Sequence, residues 1–287
     1  MQDAPPTAVV TRIRPPGGWP VPDFAELWRY RDLLTLLTVR NVAARYRQSL
    51  LGMGWAVLRP AVSVAVFTVI FGRAAGFADE LPGGGAGAAV PYALFAFVGL
   101  VPWNFFAAAL GGTTQSVLTG GDMLTKVYFP RLVLPLSSLG VAAVDAAIGV
   151  VLAAALLAWH GVLPGPAVLA LPAFLLLAAA AALAGGLWLT ALNVKYRDVG
   201  QAVPFLIQVG MYLSPVIYPP TFIPESWRAV YYLNPLAGAI DGARWSVLGT
   251  DPPAWGLVGL SAAVTGLLLA GGLAYFARTE RTFADIL

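Results

Sequence analysis

The chain has 287 residues, of which 59% are hydrophobic and only 11% are charged, and its mean hydropathy is +0.76. A soluble domain is about half apolar and about a quarter charged, so this chain has too few charges to cover a water-facing surface. Intrinsic disorder is excluded as well, because it requires low hydrophobicity and high charge. The composition therefore predicts a protein that crosses a membrane several times.

Several kinds of chemistry are excluded by the residue counts. The sequence has no cysteine and a single histidine, His160, so disulfides, thiolate metal sites and histidine-based catalytic triads are not expected. The net charge of +3 is too small to indicate nucleic-acid binding. We therefore expect no nucleic-acid partner and no bound metal or other cofactor on this chain.

The N-terminal region divides into two predicted parts. Residues 1–22 are rich in proline and predict a flexible tail; no signal peptide precedes the first strongly apolar stretch, so this terminus is expected in the cytoplasm. Residues 23–55 predict an amphipathic helix, opened by a capping box from Asp23 to Glu26, followed by a basic connector. One face of this helix carries Leu27, Tyr30, Leu34 and Leu37. That face either lies in the membrane interface or packs on protein.

The remainder of the chain, residues 56–287, predicts an all-α integral membrane domain with six transmembrane helices. Each apolar stretch is close to the ~20 residues that a bilayer requires. The predicted spans are 56–72, 93–116, 132–159, 167–192, 200–218 and 255–277. Between the fifth and sixth spans, residues 218–253 are semi-apolar and interrupted by proline, which predicts short re-entrant helices in the outer interface.

The distribution of basic residues predicts the orientation. With six spans and both termini in the cytoplasm, only Arg73, Arg228 and Arg244 of the 17 lysines and arginines fall outside. This asymmetry follows the positive-inside rule and predicts that both termini lie in the cytoplasm.

The sequence lacks the motifs of an ATPase or a hydrolase. It has no phosphate-binding loop, no Gly-x-Ser-x-Gly and no His-Glu-x-x-His, and Gly83–Gly85 is read as a flexible turn. Asp145 is the one acid deep within a predicted span, and no basic partner for it is evident. It predicts either a structural or water-facing carboxylate, or a transport role. Because a self-powered carrier would show several such groups, the driving energy is expected from a partner protein.

Two predicted cytoplasmic segments could receive that energy, residues 120–131 and 193–198. The alternative for both is a capped turn with basic anchors. It explains the charges, but it explains less well why the first segment is long and carries Tyr128, Phe129 and Pro130.

Five stretches of the chain resemble the membrane subunit of ABC-2 type transporters, in the branch that exports polysaccharide, O-antigen and teichoic acid. The stretches are 45–60, 126–135, 192–198, 213–218 with 232–235, and 280–285.

The resemblance implies a multi-pass permease of the bacterial cytoplasmic membrane that performs no bond chemistry. It implies a homodimer with two separate ATP-binding cassette subunits, which use ATP and Mg, and a substrate that is a polymer on an undecaprenyl-type lipid. It also implies that residues 27–40 dock the ATPase and that residues 123–131 couple to it. The coupling residues would be Met123, Leu124, Lys126, Tyr128, Phe129 and Arg131.

Two further sets of residues suit such a substrate. Arginines near the inner face could bind the lipid phosphate, because guanidinium groups offer forked donors to phosphate oxygens; simple topological anchoring explains them equally well. These are Arg40, Arg45, Arg47 and Arg59. Aromatic side chains could line the polymer path or form an interfacial belt. These are Trp103, Phe105, Phe106, Tyr212 and Tyr218.

The sequence thus predicts the permease subunit of an ATP-driven exporter of lipid-linked polysaccharide. Export of a small lipid or drug is the alternative within the family. A lipid-processing membrane enzyme would need clustered acids or histidines, which the sequence does not show, and the coupling-like segment disfavours a membrane scaffold without transport activity.

Overall fold

A computed structural model describes residues 24–47, 54–74, 90–124, 126–280 and 283. The predicted N-terminal tail (1–22), Asp23 and the Gly83–Gly85 turn lie outside these residues. Within them, all regular secondary structure is helical, as predicted. The helices are α1 (Phe24–Arg29), α2 (Arg31–Arg47), α3 (Gly54–Phe67), α4 (Tyr92–Thr119), α5 (Gly121–Leu124), α6 (Val133–Trp159), α7 (Leu171–Lys195), α8 (Asp198–Tyr212), α9 (Glu225–Tyr231), α10 (Pro235–Leu248) and α11 (Trp255–Thr279).

In the described part of the chain, four helical segments are long and apolar enough to cross a membrane. They are α4, α6, α7 with the 3₁₀ turn Pro166–Ala170 that precedes it, and α11, with mean hydropathies from 1.9 to 2.5. They coincide with four of the predicted spans. The other two predictions, 56–72 and 200–218, fall on α3 with its π-helical extension Thr68–Ala74 and on the 15-residue α8. That these two cross the membrane stays a prediction.

Helix α4 is the centre of the fold. The most apolar 18-residue stretch of α4 is 72% buried, because α4 packs against α6, α7 and α10. A helix that is apolar all round is expected at such a position. Small residues allow the helices to approach closely: a Cβ added at Gly112 would lie 3.3 Å from Ser138 of α6, and one at Gly185 of α7 would lie 3.2 Å from Leu110.

The N-terminal helices pack on the protein. All four side chains of the predicted apolar face contribute to a core cluster, which we call the Phe129 cluster. Its buried members include Leu37, Phe129, Leu132, Phe276 and Phe283. This packing is one of the two alternatives that the sequence left open, and the relation of α2 to the membrane interface stays a prediction. Helix α2 then continues along α6, where Thr38 contacts Ser137.

Short helices occupy the predicted re-entrant stretch. A 3₁₀ turn (Pro220–Phe222), α9 and α10 follow one another there. Asn234 caps α10 by accepting a 3.0 Å hydrogen bond from the Leu236 N–H, and α10 ends at Gly249 with φ of 64°. Because α10 packs between α4, α7 and α11, its polar backbone is shielded by protein. Its re-entry into the membrane stays a prediction.

Candidate substrate cavity and coupling surface

A cavity of about 550 Å³ lies between α3, α4 and α6, with the end of α2 at its edge. Its wall is part polar and part apolar. The side chains that give it chemical character are Arg45, Trp55, Arg59, Ser63, Asn104 and Asp145. This combination of guanidinium groups, a carboxylate, an amide and an indole is suited to a ligand with an anionic group beside apolar or sugar surface.

Arg45 and Asp145 form an ion pair at this cavity. Arg45 Nη1 donates to Asp145 Oδ2, across 100 positions of the chain. The expectation that Asp145 has no basic partner is therefore wrong. The pair was not evident because α2, which carries Arg45, lies beside α6 only in the folded chain. Both side chains remain partly accessible, at 46% for Arg45 and 26% for Asp145.

The structure brings together two of the four predicted phosphate-binding arginines. Arg59 lines the cavity beside Arg45, and its guanidinium carbon lies 5.5 Å from the centre of the Trp55 ring, a cation–π distance. Arg40 and Arg47 are exposed on α2 and do not line the cavity. The described part of the cavity wall thus carries two guanidinium groups and one carboxylate.

The predicted path aromatics fall into separate groups. Trp103 and Phe106 contact each other on α4 with ring centres 5.5 Å apart, and Trp103 is only 4% exposed in the single chain. Phe105 is buried and lines the cavity. Tyr218 donates a 3.1 Å hydrogen bond to the backbone oxygen of Tyr212, so these two residues lie together at the end of α8.

The predicted coupling segment has a buried side and an exposed side. Phe129 is buried in the Phe129 cluster, where Met123 also packs, and the Arg131 guanidinium lies 6.0 Å from the Phe283 ring centre. Lys126 is exposed, and Tyr128 is 72% exposed. Leu124 ends α5; its side chain lies outside the described part of the structure.

Helix α1 and the coupling segment form one surface. The Tyr30 hydroxyl donates a 3.5 Å hydrogen bond to the Tyr128 backbone oxygen, and the Tyr128 side chain is hydrogen-bonded to Glu26. Desolvation raises the pKa of Tyr128 above its usual value of 10.0, and the Glu26 carboxylate raises it further. Tyr128 thus stays protonated at neutral pH and donates to that carboxylate. Trp28 of α1 presents an indole that is 71% exposed.

The second predicted cytoplasmic segment is anchored by Asn193. Its side-chain Nδ2 donates a 3.0 Å hydrogen bond to the Thr114 backbone oxygen, and its Oδ1 accepts a 2.8 Å bond from the Gly200 N–H. The fully buried Asn193 therefore joins α7 to α4 and to the first turn of α8. This network explains why an asparagine stands at the end of the apolar α7.

The structure also reveals a buried arginine that the sequence did not single out. Arg244 on α10 is 2% exposed and donates hydrogen bonds to the backbone oxygens of Phe95 and Val216. Its only sequence signal was its position outside the membrane in the predicted topology. Among the described residues, no group of three or more potential metal ligands occurs.

These features define a multi-pass membrane protein with a polar cavity between its helices. The sequence model of the family described as "ABC-2 type transporter" matches residues 32–248, well over half of the chain. The chain therefore belongs to the ABC-2 type transporter family, as its motifs indicated.

Three curated relatives are similar over nearly their whole length. The chain is 31% identical over 263 residues to the "O-antigen export system permease protein RfbA" of Myxococcus xanthus, covering 91% of this chain and 97% of the relative. It is 26% and 25% identical to two proteins of the same description from Klebsiella pneumoniae, each covering 89% of this chain and 95% of the relative.

Proposed function

We propose that this chain is the permease subunit of an ATP-driven exporter that moves a lipid-linked polysaccharide of the O-antigen type across the bacterial cytoplasmic membrane. The observation that carries the proposal is the match, over 89–91% of the chain, to relatives whose names describe O-antigen export permeases. The four apolar helices and the polar cavity between helices are compatible with this role.

The cavity is the proposed site for the phosphate of the lipid carrier. Arg45 and Arg59 supply forked, permanently charged donors that suit pyrophosphate oxygens. Trp55 and the apolar wall suit the adjoining isoprenoid or sugar. Arg40 and Arg47, which are exposed on α2, would attract the anionic head group towards the cavity.

The path beyond the cavity would use aromatic side chains, because sugars present apolar C–H faces as well as hydroxyl groups. The predicted residues are Trp103, Phe105, Phe106, Tyr212 and Tyr218. Tyr212, the last residue of α8, is 51% exposed. We propose a homodimer, as the resemblance to ABC-2 permeases implies, in which a second copy of the chain covers such exposed aromatic side chains and completes the path.

ATP hydrolysis is assigned to two separate ATP-binding cassette subunits, which bind ATP and Mg. Their docking site would be the exposed surface at Lys126 and Tyr128, which is backed by the Phe129 cluster, together with the exposed Trp28 of α1. A rigid backing would transmit movement of the ATPase to α4, α6 and α11. The proposed orientation places this surface and both termini in the cytoplasm.

The proposal is tested by complementation. A bacterial host that lacks its own O-antigen permease would receive this chain together with its ATPase subunit and the matching glycan synthesis enzymes. Polysaccharide should appear on the cell surface, and replacement of Arg45 and Arg59 by Gln should reduce it about tenfold at unchanged protein level. Polymer that accumulates inside the cell with the wild-type chain present would contradict the proposal.

A further inference from the structure

Asp145 occupies a costly position for a carboxylate. It is the one ionisable residue of α6, twelve positions after the helix begins at Val133, in a segment with mean hydropathy 2.4. A charge in such a segment is retained only where a partner or water compensates it. Its partner, Arg45, comes from the last turn of α2.

The ion pair is poorly explained as a structural brace. Partly exposed pairs contribute little to stability, and this pair is open to the cavity on one side. Helix α2 is already fixed to α6 two turns earlier: Thr38 donates a 3.5 Å hydrogen bond to the Ser137 backbone oxygen, and a Cβ at Gly140 would lie 2.9 Å from Thr38. The register of the two helices therefore does not depend on Arg45.

The pair does determine the charge that the cavity offers to a ligand. Among the described residues that line the cavity, Asp145 is the only acid beside the two arginines, so these side chains sum to a formal charge of +1. With Asp145 paired to Arg45, one of the two guanidinium groups is already occupied. A pyrophosphate carries more negative charge than one carboxylate and accepts from a guanidinium through several oxygens.

We infer that Asp145 is an internal competitor for Arg45: it holds the guanidinium while the cavity is empty, and a pyrophosphate group of the lipid-linked substrate displaces it. When the substrate moves on, Asp145 takes Arg45 back and favours release. The arrangement is suited to this exchange. Asp145 stands within the long helix α6, whereas Arg45 stands at the end of α2, which is fixed to α6 two turns earlier at Thr38. The inference rests on the proposed lipid-phosphate role of Arg45.

Binding to the purified full chain in detergent tests the exchange, with farnesyl pyrophosphate as a soluble isoprenoid pyrophosphate and calorimetry as the readout. Asp145→Asn keeps the size of the side chain and removes its charge. We expect it to tighten binding about tenfold, which corresponds to about 1.4 kcal/mol. In an Arg45→Gln background the same substitution should tighten binding much less, because only the direct repulsion between the Asp145 carboxylate and the pyrophosphate is then removed. Tenfold tightening in that background as well would refute competition for Arg45.

The matched control is Asp32→Asn, the same chemical change on α2 at a side chain that is 90% exposed and outside the cavity. It should leave binding unchanged. Inorganic pyrophosphate and dioleoyl phosphatidylglycerol are titrated in parallel. If Asp145→Asn tightens the binding of farnesyl pyrophosphate alone, the site is assigned to the isoprenoid carrier. If it tightens the binding of phosphatidylglycerol equally, that assignment is overturned in favour of a membrane lipid head group.

The remaining outcomes separate this inference from the proposed function. If Arg45→Gln weakens binding while Asp145→Asn leaves it unchanged or weakens it, the competition is refuted and the phosphate role of Arg45 stands. If Arg45→Gln has no effect, the phosphate role fails and the competition fails with it. Should Asp145→Asn not purify as a folded protein, Asp145→Ser is judged by the same criteria.

Discussion

The guanidinium carbon of Arg244 lies 3.6 Å from the centre of the Phe95 ring, and Arg244 Nε donates a 3.2 Å hydrogen bond to the backbone oxygen of the same residue. The second contact runs to the Val216 backbone oxygen. Arg244 thereby joins α10 to the first turns of α4 and to the segment after α8. Because the charge is enclosed, these contacts replace the water that it lost on folding.

Replacement of Arg244 by Ala should destabilise the protein strongly. It leaves a cavity and removes the donors of enclosed carbonyl groups, so we expect the free energy of unfolding to fall by about 3 kcal/mol. Denaturant unfolding in detergent measures this. Arg228→Ala is the matched control: Arg228 is about one third exposed and pairs with Glu225 at 3.4 Å, so its loss should cost less than about 1 kcal/mol. Equal losses would contradict the structural role of Arg244.

A methyl group at Gly99 should disturb the same arginine. A Cβ there would lie 2.5 Å from Arg244 Nη2, which has no free space to move into. We expect Gly99→Ala to cost about 1–3 kcal/mol, as overpacking does. Gly266→Ala on α11 meets nothing within 4 Å and should be neutral or slightly stabilising. The same unfolding assay ranks the two variants, and the reverse order would refute the packing described for Gly99.

Loss of the Asn193 amide should loosen the contact of α7 with α4 and α8. Asn193→Ala leaves the Thr114 backbone oxygen and the Gly200 N–H without this partner, and we expect a cost of about 2 kcal/mol. Hydrogen exchange at the first turn of α8 should accelerate in this variant. Gln201→Ala, at an exposed position of α8, should change neither quantity. Unaltered exchange in Asn193→Ala would show that the network does not hold this helix.

The two sides of the coupling segment should respond differently to truncation. Tyr128→Ala removes an exposed aromatic side chain, and large aromatics commonly dominate protein interfaces. We expect about tenfold weaker binding of the ATP-binding cassette subunit with unchanged unfolding. Phe129→Ala empties a buried position and should cost about 3–4 kcal/mol of stability.

Binding of the labelled ATPase subunit to the immobilised permease measures the first effect. Trp159→Ala, at an 86% exposed position that ends α6 on the predicted outer side, is the control and should leave binding unchanged. Equal weakening by Trp159→Ala, or full binding by Tyr128→Ala, would contradict the proposed docking surface.

The long helices were predictable because their signal is local. Four predicted spans lie inside the observed helical segments or exceed them by one residue at most. In chain order the predictions are 93–116, 132–159, 167–192 and 255–277, and the observed segments are Tyr92–Thr119, Val133–Trp159, Pro166–Lys195 and Trp255–Thr279. A continuous apolar run of this length has few alternatives to a spanning helix. The apolar face of the N-terminal helix was also predicted correctly, since side-chain periodicity fixes a face without fixing its partner.

The polar contacts were not predictable, because they join residues far apart in the chain. Arg45 and Asp145 are 100 positions apart, so no local sequence pattern relates them, and only the packing of α2 on α6 brings them together. Arg244 gave no motif, because its partners are backbone oxygens, which every sequence has. The sequence also did not show which of the four predicted phosphate-binding arginines share a site, because that depends on how the helices pack. Arg45 and Arg59 line the cavity, whereas Arg40 and Arg47 do not.

The central claim is that this chain forms the path by which a partner ATPase exports a lipid-linked polysaccharide. Inverted proteoliposomes that contain the chain and its ATP-binding cassette subunit, with the lipid-linked polymer added outside, test it most directly. We predict that ATP makes the polymer resistant to an added glycosidase. Omission of the chain should abolish this protection, and substitution of Arg45 and Arg59 by Gln should slow it about tenfold. Polymer that stays fully digestible with ATP and both wild-type subunits present would contradict the account.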